Sequence, residues 1–316
     1  MQNATQWGVL LLPLLAALDV ATGATAGDNA ATFGVDQTAP GIFVHIGKPV
    51  ALDAPGHDDI ANIGFVTGKR CIAVIDTGGS VKIGRELRAA IRQHSSLPVC
   101  YVITTHGHVD HVLGNAAFKD DGAHFVGHAM LPDALMRSRD LFLRDYAEDL
   151  DAPATPAQII GPDETVPIGN EMTLDLGGRT LTLRAWPKAH TDSDLTVYDS
   201  QTHTLWTGDL LFIRRTPVLD GSVKGWLAAI DSLARMDARH VIPGHGPPTD
   251  KPAEALEPER RYLQLLLTAV HAQIARGDSL QQALREPDPP EKANWLLWDE
   301  AHRHNVARVY QELEWE

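Results

Sequence analysis

The segment from residue 105 to residue 111, Thr-His-Gly-His-Val-Asp-His, places three imidazoles and one carboxylate within six consecutive positions. Histidine and aspartate are ligands that zinc and related divalent ions take in proteins. In an extended loop His106 and His108 point the same way and can hold one ion, whereas Asp110 and His111 turn toward a second. With 15 histidines in the chain, an ordinary polar role is the simpler alternative. The density of this motif nevertheless favours a metal site.

Three further polar residues end or follow predicted strands later in the chain. His190 follows residues 185–189, Asp209 lies in a Thr-Gly-Asp-Leu segment, and His245 lies in Pro-Gly-His-Gly. Taken alone, each histidine is more simply explained as an ordinary loop residue. Because strand ends meet at one edge of an open α/β fold, we expect these three residues to converge with the first cluster.

Alternating strand and helix patterns must position these residues. Residues 70–76 and 99–104 are short, apolar and β-branched, which predicts buried strands, and the apolar residues at 83, 87, 90 and 91 between them predict an amphipathic helix. The second half of the chain repeats the order of strands and then helices. We therefore predict an α/β fold, a four-layer αββα sandwich over residues 27–250, with a helical extension over residues 251–316 packed on the same domain.

Charge and the amino terminus bear on where the protein works. The formal net charge is −14 and no basic run occurs, which argues against nucleic acid and against an anionic membrane surface. The apolar residues 8–18, followed by Ala24-Thr25-Ala26, predict a signal peptide over residues 1–26 and hence a periplasmic or secreted protein. An amino-terminal anchor is the alternative, but spanning a bilayer needs roughly twenty apolar residues, so we expect no stable membrane span.

Cys71 and Cys100 are the two cysteines of the chain, and each lies on a predicted strand. They could pair in an oxidising compartment. Buried free thiols are the commoner outcome for cysteines on neighbouring core strands, and we expect that state.

The order of the metal motifs resembles the metallo-β-lactamase superfamily over roughly residues 40–250. The resemblance implies two metals, the first bound by His106, His108 and His190, the second by Asp110, His111 and His245, with Asp209 bridging them. We expect two Zn²⁺, with iron or manganese as alternatives because the same ligands suit all three metals. Such a pair lowers the pKa of a shared water to roughly 7 and presents hydroxide to a carbonyl or phosphoryl centre. Asp110 is the predicted catalytic residue, accepting a hydrogen bond from that hydroxide.

Four segments, residues 60–65, 73–80, 114–118 and 304–314, resemble the quinoprotein relay system zinc metallohydrolases, which are related to the SoxH proteins of sulfur-oxidation clusters. This resemblance implies an exported enzyme with a quinoprotein or cytochrome partner. We therefore expect a dizinc hydrolase acting on a small-molecule ester, thioester, lactone or amide.

Three other functions stay open at this point. The first is β-lactamase activity, main or incidental, although Asp209 stands where β-lactamases typically carry Cys or Ser. The second is a mononuclear iron persulfide dioxygenase, which would not need His111 and His245. The third is an accessory protein without catalysis that delivers metal or docks on a partner.

Residues close to the predicted ligands are candidates for supporting roles. Asp76, at the end of a neighbouring strand, either orients a ligand histidine or caps the turn before Gly78. Lys224 is preferred to Arg214 and Arg215 as the cation for an anionic substrate group.

Two later features of the chain concern access to the site. The Pro-rich residues 151–167 predict a connecting loop that could border the site. Trp295, Trp298 and His302 are spaced for one helix face, and core packing explains them better than a lid does.

Overall fold

A computed structural model describes Met1 and residues 33–315 of the chain, so the predicted signal peptide beyond Met1 lies outside the described residues. The first sheet contains, in spatial order, β1 (Asp36–Ala39), β2 (Ile42–His45), β3 (Ile63–Thr67), β4 (Ile72–Ile75), β5 (Val99–Ile103), β6 (His124–His128) and β7 (Glu164–Val166). Strands β1 to β4 pair antiparallel, and β4 to β7 pair parallel.

The second sheet comes from the later half of the chain. Its strands, in chain order, are β8 (Glu171–Asp175), β9 (Thr180–Ala185), β10 (Leu195–Asp199), β11 (Thr204–Phe212) and β12 (His240–His245). Strands β8 to β11 form an antiparallel meander, and β12 adds parallel to β11.

Helices cover the outer face of each sheet. The α-helices of the described residues are α1 (Val81–His94), α2 (Val109–Val112), a single turn at the edge of the sandwich, α3 (Leu131–Asp145), α4 (Val223–Leu233), α5 (Pro252–Ala275), α6 (Leu280–Ala283) and α7 (Trp298–Leu313). Along β4, Ile72 and Val74 pack outward in the same cluster as Leu87 of α1, whereas Ala73 and Ile75 pack inward against the second sheet. This period of two, with both faces buried, is what a central strand between two layers requires.

The other outer layer is made by α4, α5 and α7. Trp226, Leu263 and Val309, one from each helix, share a buried cluster with Leu205 of β11. The predicted four-layer αββα arrangement with carboxyl-terminal helices is therefore confirmed. Trp295 and Trp298 are buried in this cluster, as core packing predicts, but Trp295 precedes α7 and does not share its helix face.

Cys71 and Cys100 form a disulfide, so the expectation of free thiols was wrong. Cys71 directly precedes β4 and Cys100 lies in β5, and these strands are parallel neighbours. Their Cα atoms are 5.7 Å apart, inside the range that a disulfide spans. The sequence could not supply this distance, because the pairing of β4 with β5 sets it.

Residues 151–167 are not simply a connecting loop. They include β7, which pairs with β6 and completes the first sheet. None of the helices in the described part of the chain combines the length and hydropathy that crossing a membrane requires.

Candidate metal centre

Seven side chains from both halves of the chain meet at one edge of the sandwich. His106 and His108 lie on the extended loop after β5, and the single turn of α2 then carries Asp110 and His111. The remaining three come from the second sheet, with His190 between β9 and β10, Asp209 inside β11 and His245 at the end of β12. All but His108 are buried.

The first group of donors consists of His106, His108, His190 and Asp209. The Nε2 atom of His190 lies 3.3 Å from His106 Nε2 and 3.1 Å from His108 Nδ1. The Oδ2 atom of Asp209 lies 3.7 Å from His106 Nε2 and 3.5 Å from His190 Nε2. Ligands placed tetrahedrally at zinc bond lengths are about 3.3 Å apart, so the group has the dimensions of a tetrahedral site.

The second group consists of Asp110, His111 and His245. The Oδ2 atom of Asp110 lies 3.5 Å from His111 Nε2 and 3.3 Å from His245 Nε2. Asp209 also reaches this group, because its Oδ1 lies 3.2 Å from His111 Nε2 and its Oδ2 lies 3.3 Å from His245 Nε2. Asp209 is thus placed to serve both groups.

Each of the five imidazoles uses one ring nitrogen for a hydrogen bond directed away from the centre. The acceptors are Thr105 Oγ1 for His106 (3.1 Å), Asp220 Oδ2 for His108 (2.9 Å), Asp76 Oδ2 for His111 (2.8 Å), the Val218 carbonyl for His190 (2.6 Å) and the Ile60 carbonyl for His245 (2.8 Å). A neutral imidazole that donates from one nitrogen presents a bare lone pair on the other. The second nitrogen of each ring therefore faces the centre, where neutral rings would present lone pairs that a bound cation can accept.

Unpartnered polar atoms support the same conclusion. Nε2 of His111 and Oδ1 of Asp209 are buried 3.2 Å apart, but neither makes a well-directed hydrogen bond, to the other atom or to any described group. A buried polar atom without a partner costs about 1–3 kcal/mol. Metal ligation would satisfy both atoms, so the donor set fits two metal ions.

Carboxylates and imidazoles shift each other's pKa values in the centre. Burial raises the pKa of Asp209, but His245, His111 and His106 outweigh this effect and hold the pKa well below its ordinary value. Burial and the neighbouring His108 lower the pKa of His190 to about 4, so this ring is neutral at pH 7. For His111 burial lowers the pKa, whereas Asp209, Asp110 and Asp76 raise it well above the ordinary value. The three carboxylates therefore stabilise positive charge at the position of His111.

Asp76 makes the contact that the orienting role requires. Besides accepting from His111, its carboxylate accepts from the backbone N–H of Thr105 at 2.8 Å and from the Thr105 hydroxyl at 2.7 Å. Asp76 adopts a left-handed backbone conformation with φ of 52°. It thereby joins the end of β4 to the loop that carries the first histidines.

A cavity of about 500 Å³ opens over the centre. Apolar side chains form part of its lining, including Leu52, Leu141 and Phe142. Cavities of this size are typical of small-molecule sites. The Pro-rich residues 151–167, predicted as a border, contribute nothing to its lining.

The cationic lining of the cavity differs from the prediction. Lys224 is exposed and does not line the cavity. Helix α4 buries Val223 and Trp226, so Lys224 lies on its exposed side. The cations that line it are Arg137, Lys188, Arg215 and Arg308. Arg215 is buried, with Nη1 3.4 Å from His245 Nδ1.

Sequence reasoning missed Asp220, which supports His108. Burial raises the pKa of Asp220, but hydrogen bonds from His108 and His304 outweigh burial and hold the pKa well below its ordinary value. Asp220 lies in an irregular loop between β11 and α4, without a local pattern that indicates a role. His304, by contrast, lies in the carboxyl-terminal segment whose resemblance had been noted.

Known proteins resemble this chain in fold and in family motif. Residues 57–245 match the family model of the metallo-β-lactamase superfamily. A metallo-β-lactamase from Pontibacter korlensis is 23% identical, with 73% of this chain and 98% of that chain covered and a TM-score of 0.59. One from Hirschia baltica is 19% identical, with 73% and 96% covered and a TM-score of 0.56.

A longer protein is also similar in structure. The stereoselective inverting sec-alkylsulfatase Pisa1 from Pseudomonas sp. is 19% identical, with a TM-score of 0.68 over 89% of this chain. The match covers 50% of the alkylsulfatase, so this chain spans about half its length. No curated protein sequence matches the chain significantly. Identities this low show a shared fold only. The family model, however, covers more than half of the chain and includes the ligand motifs. The chain therefore belongs to the metallo-β-lactamase superfamily.

Proposed function

We propose that this protein is a dizinc hydrolase that cleaves an ester, thioester, lactone or amide bond in a small molecule. The observation that carries the proposal is the set of five imidazoles, each of which donates outward and presents a bare nitrogen to a centre that also contains two carboxylates. Members of this superfamily are generally metal-dependent hydrolases, which agrees with such a centre.

Bound zinc would supply an activated water and polarise the bond under attack. His106, His108, His190 and Asp209 would hold one ion, and Asp110, His111 and His245 the other, with Asp209 shared. Asp110 also lines the cavity, so its carboxylate can accept a hydrogen bond or a proton beside the substrate.

The cavity wall accounts for the rest of the binding. Leu141 and Phe142 of α3, together with Leu52, exclude water from one side and can pack against an apolar group of the substrate. Lys188 lines another part of the cavity and is exposed, so it can attract an anionic group on the same substrate.

We further propose that the protein works outside the cytoplasm. Supporting this are the predicted signal peptide and the Cys71–Cys100 disulfide, since such bridges persist in oxidising compartments. An exported quinoprotein or cytochrome partner stays a prediction from sequence resemblance.

Metal analysis followed by a substrate panel tests the hydrolase. We expect about two zinc per chain by plasma mass spectrometry, and turnover of at least one chromogenic ester, thioester, lactone or β-lactam, with a phosphodiester included as a substrate outside the proposed bond classes. About one iron per chain with oxygen consumption on a persulfide would replace the hydrolase with a dioxygenase. Metal binding without turnover on any substrate would favour a delivery or docking protein.

Two variants test the assigned ligands. Asp110→Asn and His245→Ala each remove a donor of the second group, so we expect about one metal per chain and a loss of turnover of about 100-fold or more. The matched control is His271→Ala, because His271 is exposed on α5. Activity that survives both ligand variants would contradict the site assignment.

A further inference from the structure

The two groups of metal ligands are supported by different parts of the chain. In the second group, His111 and His245 donate to Asp76 and to the Ile60 carbonyl, which lie next to strands of the first sheet. In the first group, His108 and His190 donate to the side chain of Asp220 and to the carbonyl of Val218. Residues 216–221, here called the support loop, therefore orient two of the three histidines of the first group.

The carboxyl-terminal helix α7 holds the support loop. Asn305 is fully buried, and its side chain accepts from the backbone N–H of Leu219 at 2.9 Å and donates to the Pro217 carbonyl at 2.6 Å. One position earlier, His304 donates from Nε2 to Oδ1 of Asp220 at 2.8 Å. Arg308, one turn later, donates to the backbone carbonyl of Asp220.

These contacts form a continuous chain from α7 to the metal centre. The two carboxylate oxygens of Asp220 are shared, Oδ1 with His304 and Oδ2 with His108. A carboxylate held at both oxygens has a fixed plane, and it fixes the ring that donates to it. The helix lies outside residues 57–245, the range that matches the superfamily model.

We propose that His304 and Asn305 are positioning residues for the first metal group, so that these two residues of α7 set the affinity of that site and leave the second site unaffected. This inference rests on the proposed metal centre. It goes beyond the ligand set, because it assigns a role in metal binding to a helix that contributes no ligand.

Graded removal of metal from the full-length protein tests this assignment. The zinc-loaded wild type, His304→Ala and Asn305→Ala are titrated with a chelator, and zinc retained per chain is measured. We expect one of the two ions to be released at about tenfold lower chelator concentration in each variant, as when a ligand-orienting partner is lost, and the other ion to be released as in the wild type. Cobalt substitution adds a spectroscopic readout, with a changed absorption band for one ion only.

Two controls separate positioning from general damage. His304→Gln restores an N–H donor near the position of Nε2, so it should recover most of the wild-type affinity. Arg303→Ala changes an exposed neighbour on the same helix and should leave both ions as in the wild type. Thermal unfolding of the same samples identifies a variant that fails to fold, and His304 is exposed enough that His304→Ala should fold.

The possible outcomes are distinct. Wild-type retention of both ions in His304→Ala, or equal weakening of both ions, would overturn the positioning role while the dizinc proposal stands. A wild type with one ion, weakened by His304→Ala, would support the positioning role and remove the dizinc proposal. A wild type that binds no metal would overturn both.

Discussion

Asp209 is the side chain that lies within reach of both groups of predicted ligands. Its Oδ1 lies 3.2 Å from Nε2 of His111 and its Oδ2 lies 3.5 Å from Nε2 of His190, so one carboxylate reaches both groups. The backbone around it leaves little space, because a Cβ built on Gly244 would lie 1.8 Å from Oδ1 of Asp209. Glycine at 244 is therefore a requirement for the position of Asp209.

Gly244→Ala should disrupt the centre without removing any ligand. The added methyl group must displace the Asp209 carboxylate, and a misplacement of about 1 Å can reduce activity by about 100-fold. We expect loss of zinc, measured per chain, together with that loss of activity. Gly161→Ala is the control, since its Cβ would meet only Leu135 Cδ1 at 3.3 Å. Normal zinc content in Gly244→Ala would show that the carboxylate has room to move.

The convergence of the seven predicted ligands could be inferred from sequence, whereas most of their hydrogen-bond partners could not. His106, His190 and His245 each end or follow a strand whose apolar pattern is local, so sequence spacing alone brought them to one edge. Asp220 lies 112 residues from His108 and 84 residues from His304. Contacts over such separations depend on how loops pack, and a local pattern carries no record of that packing. The position of Lys224 outside the cavity lining could not be predicted for a similar reason, since the buried face of α4 decides where this residue lies.

At the scale of elements, the β4–β5 pair is fixed at both ends. The disulfide joins Cys71, just before β4, to Cys100 near the start of β5, and Asp76 joins the carboxyl ends by accepting from Thr105. The ligand loop leaves β5 at this fixed end. Strand β11 lies between β12 and β10, and all nine of its residues are buried.

Helix α7 contains a histidine that should make stability depend on pH. His302 stacks on Trp298 with ring centroids 4.0 Å apart, and the Tyr262 hydroxyl donates to its Nδ1 at 3.1 Å. Burial lowers the pKa of His302 to about 4 from an ordinary value of 6.5. Below pH 6.5 the unfolded chain therefore takes up a proton that the folded protein does not. The contribution of His302 to stability is complete above pH 6.5 and is lost as the pH falls through about 4.

His302→Phe should reduce this pH dependence while keeping the ring stack. Between pH 7 and pH 4 we expect the free energy of unfolding to fall less in the variant than in the wild type, by about 1–3 kcal/mol. Urea unfolding at both pH values measures the difference. Both proteins contain the same metal centre, so its contribution to the pH dependence is the same in each. Parallel pH profiles for the two proteins would contradict the assigned pKa.

At the scale of the whole molecule, the disulfide closes a loop of 29 residues that contains α1. A bridge over a loop of this length stabilises a protein by about 2–4 kcal/mol, mainly by restricting the unfolded chain. The double variant Cys71→Ala, Cys100→Ala should lose that amount of unfolding free energy in urea and keep its zinc. Reductant should lower the stability of the wild type to a similar extent and leave the variant unchanged. Equal stability of the two proteins without reductant would mean that the bridge does not form.

The division of ligands between the two halves of the chain also bears on how the protein matures. The first group takes His106 and His108 from the early half and His190 and Asp209 from the late half, and the second group likewise needs His245. A chain truncated before residue 190 therefore has no complete ligand set. Metal would bind only after both halves of the chain are complete, and it would link them. The free energy of unfolding would then increase with metal concentration. Incomplete chains would then lack the bound metal and its stabilisation, and proteases would degrade them more readily than complete chains.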